Sequence, residues 1–200
     1  LLAQAAYQQG YTLDDTALQA LIDSLAAEIG GLESLQAWQA ANFYDDAALR
    51  VALRRSKAAA WMRDQIIAAA PTSAEQVHAR QLLFYREADA RQVYNQIAAT
   101  NGSSFGDQVA YYDPITKGEL GWFPRGYLLQ PEVEEAAFNL QAGQYSDVIR
   151  TEIGYHIIQV IERADDRPLS PDALRIYQGQ AVVNWLAERR AQSQITFLLP

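Results

Sequence analysis

The chain has 200 residues, half of them hydrophobic and a fifth of them charged, which is typical of a globular protein with a sizeable buried core. Its 24 acidic residues outnumber its 16 basic ones and give a formal net charge of −8, without any basic block. Phosphate contacts dominate nucleic-acid affinity, and anionic lipids attract basic surfaces, so this composition argues against both kinds of partner. The absence of cysteine excludes disulfides, thiol nucleophiles and zinc–thiolate sites.

Motifs for bound metals and nucleotides are missing from the sequence. It contains no HExxH, P-loop or GxGxxG pattern, and its two histidines, His78 and His156, are far apart. We therefore expect neither a metal nor a small-molecule cofactor. No apolar run is long enough to span a membrane. Residues 1–7 already have a helical pattern without a start signal before them, so we expect a fragment whose targeting segment or membrane anchor has been removed.

Residues 1–70 are rich in Ala, Gln and Leu and contain no proline, which predicts an all-helical segment. After the first helix, either Thr12 or Asp14 caps a second helix, which ends at Gly30-Gly31. A third helix covers residues 32–41, and Asp45 caps a long fourth helix. The predicted inner faces are Leu18, Leu21, Ile22 and Leu25 on the second helix and Leu49, Leu53, Ala60 and Ile67 on the fourth.

Two proline-marked breaks, at residues 70–73 and 165–171, enclose a segment with a mixed pattern. Strands are predicted over residues 77–84, 118–126 and 155–161, and helices over residues 87–100, 104–110 and 132–140. The strongest strand signal is YHIIQVI at 155–161, because it is rich in β-branched and aromatic residues.

A last helix follows the second break, with Ser170 as its cap and Pro171 at its first position. Its apolar stripe is Leu174, Tyr177, Ala181, Trp185 and Leu186. A single amphipathic helix cannot bury such a stripe alone, so the N-terminal helices are the expected partner. The predicted fold class is therefore α+β, with a domain over residues 74–165 inserted into a helical domain built from residues 1–70 and 170–200.

Four stretches of the middle segment form an ordered set of motifs: GELGWFPRG at 118–126, EEAAFNL at 134–140, QAGQYS at 141–146 and TEIGYHII at 151–158. In their order and near their spacing, they resemble the motifs of the parvulin family of peptidyl-prolyl cis/trans isomerases. The flanking helical segments resemble foldases of the SurA and PrsA type, in which the chain ends form a chaperone module around the isomerase. The resemblance implies a small antiparallel sheet surrounded by helices.

The resemblance also implies the polar groups of a site. His156 and Thr151 match a hydrogen-bonding network at the floor of the family's proline pocket, and Asp113 matches an acidic residue of the family. Asp113 can equally form a turn before the proline that follows it. Where the family has a second pocket histidine on its first strand, this chain has Gln81, which both donates and accepts hydrogen bonds. His78 lies three residues earlier, on the opposite strand face, and cannot take that place.

An apolar pocket for the proline ring is the other implied part of the site. The expected substrate-binding residues are Leu120, Leu128, Val133, Phe138 and Ile153, with Leu129 as an alternative to Leu128. Plain core packing is an equal alternative for Val133. The family usually has Met and Phe in this pocket, so its shape is expected to differ here.

The expected function is that of a peptidyl-prolyl isomerase and folding chaperone that acts on X–Pro bonds of unfolded or exported polypeptides. The alternative is a catalytically weak or inactive domain that serves as a polypeptide-binding chaperone, because Gln81 replaces the family's histidine. A third possibility is that the helical ends mediate dimerisation. The resemblance also implies a location outside the cytoplasm, whereas the sequence leaves the clients and the oligomeric state open.

Overall fold

The computed structural model describes residues 1–194 of the chain, which form two compact units. The helical unit contains residues 1–70 and 178–194, and the sheet unit contains residues 71–177. Within residues 1–194, no helix has both the length and the apolar character needed to cross a membrane.

The helical unit begins with four helices, and their starts follow the predicted caps. The helices are α1 (Leu2–Gln8), α2 (Asp15–Glu28), α3 (Leu32–Ala41) and α4 (Asp46–Ala68). Of the two candidate caps of α2, Asp14 is the one used, because its carboxylate accepts the Ala17 N–H at 2.7 Å. Asp45 accepts the Ala48 N–H at 2.6 Å in the same way. Each carboxylate satisfies an N–H group that the first helical turn leaves without a partner.

Helix α4 buries a different face in each half, which the predicted stripe of Leu49, Leu53, Ala60 and Ile67 does not capture. Leu49 and Leu53 pack in one apolar cluster with residues of α2 and α3. The second half buries Ala58, Met62 and Ile66 in another cluster with α1. The prediction of Ala60 and Ile67 as inner residues is therefore wrong, because the buried face rotates where α4 passes from one cluster to the other.

The last helix, α8 (Pro171–Ala191), begins in the sheet unit and continues into the helical unit. Ala181, Val182 and Trp185 pack against the cluster of α1 and α4. This gives the helix the apolar partner that its stripe requires.

The sheet unit contains four antiparallel strands in the order β2-β1-β4-β3, with helices on both faces. Its elements are β1 (Ser73–Phe84), α5 (Glu87–Ala98), α6 (Phe105–Tyr112), β2 (Glu119–Pro124), α7 (Pro131–Asn139), β3 (Ile149–Thr151) and β4 (Gly154–Pro168). Helix α7 covers one face with the cluster around Phe123, and α5 and α6 cover the other with the cluster around Phe105. The predicted α+β fold class is confirmed.

The predicted break over residues 165–171 begins three residues too early, since β4 continues to Pro168. The extension pairs with the start of β1, with Ser73 opposite Pro168 and Ala74 opposite Arg167. Hydrogen bonds between β1 and β4 satisfy the backbone of this exposed extension. The extension therefore forms without the apolar side chains by which the other strands were predicted.

Candidate functional site

The alternation of side chains along β1 and β4 gathers the candidate site on one face of the sheet. On β1, Gln81 follows Val77 and Ala79 at a spacing of two, so the three share a face. Across the ladder, Gln81 stands opposite Ile158, and His156 lies two residues before Ile158 on the same side. Helix α7 packs over this face, so the site lies between the sheet and that helix.

His156 bridges Gln81 and Thr151 through both ring nitrogens. Its Nδ1 lies 2.9 Å from Gln81 Oε1, and its Nε2 lies 2.9 Å from Thr151 Oγ1. Because the Gln81 oxygen can only accept, Nδ1 carries the proton and donates it, while the Thr151 hydroxyl donates to Nε2. Thr151 Oγ1 also accepts the Ile153 N–H at 3.3 Å, which orients the hydroxyl. Both nitrogens of a neutral imidazole are thus satisfied.

Burial keeps this imidazole neutral. His156 has a relative exposure of 1%. Desolvation lowers the pKa of His156 below its usual value, and the carboxylate of Glu132 opposes that shift. At neutral pH the ring therefore offers one donor and one acceptor and carries no charge.

Asp113 organises the loop between α6 and β2. Its carboxylate accepts hydrogen bonds from the Thr116 N–H at 3.0 Å, from the Thr116 hydroxyl and from the Gly118 N–H at 3.0 Å. The bonds from Thr116 and Gly118 lower the pKa of Asp113 to about 2. The structure thus places Asp113 in the turn-forming role that was one of its two predicted roles.

Gly118 connects this loop to the site. Its carbonyl accepts the Gln81 N–H at 2.8 Å. A Cβ atom at Gly118 would lie 1.9 Å from the Gln81 carbonyl oxygen, and the residue has φ of +62°, so only glycine fits. Asp113 thereby acts on the backbone of Gln81 through Gly118, while the imidazole of His156 is bound by Gln81 and Thr151.

The apolar candidates divide into packed and exposed residues. Leu120 and Leu128 are partly buried against the cluster around Phe123, in which Val133 and Phe138 are almost fully buried. The same cluster contains Ile158, the neighbour of His156 on β4. These leucines are therefore at the accessible margin of the face, above a floor formed by Val133 and Phe138.

Leu129 and Ile153 lie outside that packing. Leu129 is 92% exposed, so Leu128 is the residue of that pair that reaches the cluster. Ile153 is 48% exposed in the turn between β3 and β4, next to the Thr151 hydroxyl that accepts its N–H. It is accessible from solvent at the edge of the polar network.

Glu134 is a residue of this region that sequence reasoning missed. Its carboxylate accepts the N–H groups of three consecutive residues, Gly126 at 2.6 Å, Tyr127 at 2.9 Å and Leu128 at 3.0 Å. One side chain thus holds the loop that positions Leu128. The sequence signal that could have identified Glu134 is its position in the first turn of a helix that follows a glycine-containing loop. Backbone N–H groups without partners are common at such a helix start, and a carboxylate there can accept them.

His78 takes no part in the network, as its spacing predicts. Its Nε2 bonds to Glu119, and its ring stacks on Trp122 with the centroids 5.4 Å apart. Residues 102–106, GSSFG, match the letters of a serine-hydrolase elbow, which needs a strand before the serine. Here the preceding element is helix α5, and the Ser104 hydroxyl bonds to that of Thr100.

Comparison with known proteins assigns the sheet unit to a family. Residues 84–162 match the family model described as the PPIC-type PPIASE domain, or rotamase. The sheet unit is a parvulin-type peptidyl-prolyl isomerase domain. The predicted resemblance to the parvulins is thereby confirmed. Gln81 lies just before the matched residues, so its place in the site rests on the strand register and the hydrogen bond to His156.

Relatives with the same domain are chaperones and foldases by name. The chain is 33% identical over 156 residues to the Chaperone SurA of Burkholderia orbicola, an alignment that covers 68% of this chain and 34% of that protein. It is 30% identical over 132 residues to the Foldase protein PrsA of Oceanobacillus iheyensis, covering 62% of this chain and 43% of that one. The chain therefore spans less than half the length of these relatives.

A solved structure extends the likeness to nearly the whole chain. The crystal structure of the peptidylprolyl isomerase PrsA from Bacillus cereus superposes with a TM-score of 0.59 over 98% of this chain and 81% of that one. The sequence identity is 18%, so the match shows a shared fold. The likeness to SurA and PrsA that the sequence predicts is confirmed.

Proposed function

We propose that this chain catalyses the cis–trans isomerisation of X–Pro bonds in unfolded polypeptides and binds such chains as a folding chaperone. The observation that carries the proposal is the complete Gln81–His156–Thr151 network on the apolar face of an isomerase-family domain. The names of the SurA and PrsA relatives support the chaperone part. These relatives also support a place of action outside the cytoplasm, in a periplasm or at a cell surface.

The reaction needs no covalent chemistry. Rotation about an X–Pro bond faces a barrier of roughly 18–20 kcal/mol, whereas its two isomers differ by only about 0.5–1 kcal/mol. A thousandfold acceleration requires about 4 kcal/mol of preferential binding to the twisted amide. A dry apolar pocket and a few oriented hydrogen bonds are enough, because the twisted amide has less charge separation than the planar one.

The residues of the site divide this work between them. Leu120 and Leu128 would hold the proline ring against the floor formed by Val133 and Phe138, which excludes water from one side of the peptide bond. Among the described residues, the Gln81 Nε2 group has no acceptor within hydrogen-bonding range, so it is free to donate to a substrate carbonyl. His156 and Thr151 fix the Gln81 side chain in that orientation.

The same geometry favours an active enzyme over the alternative of an inactive binding domain. The glutamine in place of the family's histidine accepts the His156 proton at an ordinary distance of 2.9 Å, so the buried imidazole keeps both of its partners. A broken network would have left a polar group unpaired inside the domain, which is costly.

Isomerisation of a short, unphosphorylated Ala-Leu-Pro-Phe peptide, followed by NMR exchange, tests the proposal. We expect catalysis by the wild type and, in His156→Ala, a fall in kcat/KM of about tenfold to hundredfold, since a hydrogen-bonding group at a site contributes about 1–3 kcal/mol. Thermal melting checks that the variant is folded. A folded His156→Ala protein with the wild-type rate would sink the isomerase proposal. A wild type that suppresses client aggregation but gives no rate would instead favour the inactive binding domain.

A further inference from the structure

The loop after α3 exposes the ring of a phenylalanine almost completely to solvent. Phe43 is 97% exposed and has φ of +60°, a left-handed conformation that bulky residues rarely adopt. The Tyr44 N–H bonds to the Gln39 carbonyl at 2.9 Å and the Phe43 N–H to the Ala40 carbonyl at 3.4 Å. These bonds form a Schellman motif, in which the position of Phe43 is usually occupied by glycine.

Phe43 precedes Tyr44 in the chain, and we define the α3 surface as the four exposed apolar residues Leu32, Trp38, Phe43 and Tyr44 of α3 and the loop after it. The rings of Trp38 and Tyr44 stack with their centroids 5.6 Å apart, and the two residues remain 46% and 38% exposed. Leu32 is 61% exposed. An open groove of about 530 Å³ between α2, α3 and α4 runs beside this surface, with Leu32 and Tyr44 in its lining. Exposed apolar residues grouped beside a groove are typical of interaction surfaces.

The charge around the α3 surface selects the kind of partner. Residues 1–49 contain no Lys or Arg. Asp15 and Asp46 are paired with Arg54 and Arg50, whereas Glu33 and Asp45 form no ion pair with any other described residue. Asp45 follows Tyr44 directly, and Glu33 lies exposed in the first turn of α3. Arg50, which also lines the groove, is bound by Asp46 and Gln19. Exposed aromatic faces also attract Arg and Lys side chains through cation–π contacts.

We propose that the α3 surface is a docking site for an extended polypeptide segment that combines apolar side chains with Lys or Arg. The inference rests on the proposed binding of unfolded polypeptides and assigns it to a site in the helical unit, which needs no proline in the segment. The apolar side chains of the segment would cover Phe43, Trp38 and Leu32. Its cationic side chains would pair with Glu33 and Asp45 and lie over the aromatic rings. Long-range attraction would speed the encounter and weaken with added salt.

Three fluorescein-labelled, proline-free peptides test this by polarisation with the chain. The first alternates Leu and Phe with Lys and Ser, the second has Glu in place of every Lys, and the third has Ser in place of every apolar residue. We expect the first peptide to bind about tenfold more tightly than either of the others, because it alone offers both the apolar groups and the favourable charge. Equal affinity for the first two peptides would overturn the proposal.

Phe43→Gly removes the displayed ring without cost to the fold, because glycine adopts the left-handed conformation freely. We expect it to melt no lower than the wild type and to bind the first peptide about fivefold more weakly, as for loss of an aromatic anchor. Val183→Ala, which removes another exposed apolar side chain of the helical unit, is the matched control and should bind normally. A Phe43→Gly protein that binds like this control would contradict the proposal.

Two further measurements separate docking at the α3 surface from isomerase activity and from dimerisation. The isomerase rate of Phe43→Gly on a proline peptide should equal that of the wild type. If Phe43→Gly loses peptide binding but keeps the isomerase rate, the result supports docking at the α3 surface independently of catalysis. If the wild type shows no isomerase rate, the result contradicts the isomerase proposal and leaves the docking test valid. Light scattering tests whether a second copy of the chain covers the surface. The docking proposal would be overturned if the wild type is a dimer that does not bind the first peptide and the Phe43→Gly protein is a monomer.

Discussion

The two units of the chain use their large side chains in opposite ways. Among the described residues, all of the largest fully buried side chains except Leu18 lie in the sheet unit, where Phe105 and Phe123 belong to the two clusters. The cluster of α1 and α4 in the helical unit depends largely on alanines, whereas Trp38 and Phe43 are exposed. Close packing of bulky groups fixes a single geometry, which a hydrogen-bonded site requires. Trp38 and Phe43, on α3 and in the loop after it, stay largely outside such packing and are accessible to a partner.

The largest expected effect of this difference is on stability. Phe123→Ala should lower the free energy of unfolding of the sheet unit by about 3–5 kcal/mol, because it opens a cavity in the cluster beneath the site. Trp38→Ala, in the helical unit, should change stability by about 1 kcal/mol or less, since nearly half of that side chain is already in solvent. Denaturant titration of both variants measures the contrast. Equal losses would show that the two units do not differ in this way.

A second prediction concerns two adjacent leucines in the loop after β2. Leu128→Ala should raise KM for a proline peptide by about fivefold to tenfold, because its partly buried side chain contributes about 1–1.5 kcal/mol of apolar contact. Leu129→Ala is the matched control, and its 92% exposed side chain should leave KM unchanged. Steady-state kinetics on both variants shows which of the two leucines contacts the substrate. A larger effect at Leu129 would reverse the assignment of the pocket.

The helix caps give a smaller effect in the helical unit. Asp45→Ala should cost about 1 kcal/mol, because the Ala48 N–H would lose its acceptor at the start of α4. Asp23→Ala, on the exposed middle of α2, removes a carboxylate whose one hydrogen bond among the described residues is to the Gln19 side chain, and it should stay within about 0.5 kcal/mol of the wild type. Circular dichroism during urea unfolding measures both. A loss as large in Asp23→Ala would mean that net charge, rather than capping, is responsible.

The smallest expected effect is an absence of change with pH. Burial lowers the pKa of His156, so the isomerase rate should stay level as the pH falls through 6.5, where a free imidazole gains its proton. His156 in the unfolded chain would bind that proton while the folded chain would not, so its contribution to stability should begin to fall below pH 6.5. Rate and melting profiles over this pH range check both statements. A rate that halves at pH 6.5 would show that the imidazole titrates as if it were exposed.

How far the sequence predicts the structure depends on whether a signal is local. Asp14, Asp45 and the strand at 155–161 were predictable, since caps and β-branched runs act over a few residues. The extension of β4 to Pro168 was not, because its stability comes from pairing with Ser73 and Ala74, more than 90 positions away. Pairing across the sheet overrides the local turn signal of the prolines.

The site shows the same limit. The family motifs pointed to His156 and Thr151, and the two-residue period of strands placed His78 away from them. The choice between Leu128 and Leu129 depended on the conformation of the loop, which Glu134 fixes. Glu134 accepts hydrogen bonds from backbone N–H groups, and a pattern of side chains cannot reveal these bonds. Long-range and backbone contacts of this kind become visible only in the folded chain.

The most direct test of the central claim, that Gln81 completes the network around His156, is the isomerase rate of two substitutions at that position. Gln81→His restores the family's residue type and should keep kcat/KM within about threefold of the wild type, since both side chains hydrogen-bond to the imidazole. Gln81→Leu fills a similar volume without any polar atom, and it should lower kcat/KM about tenfold or more because His156 loses its acceptor. A folded Gln81→Leu protein with the wild-type rate would contradict the claim.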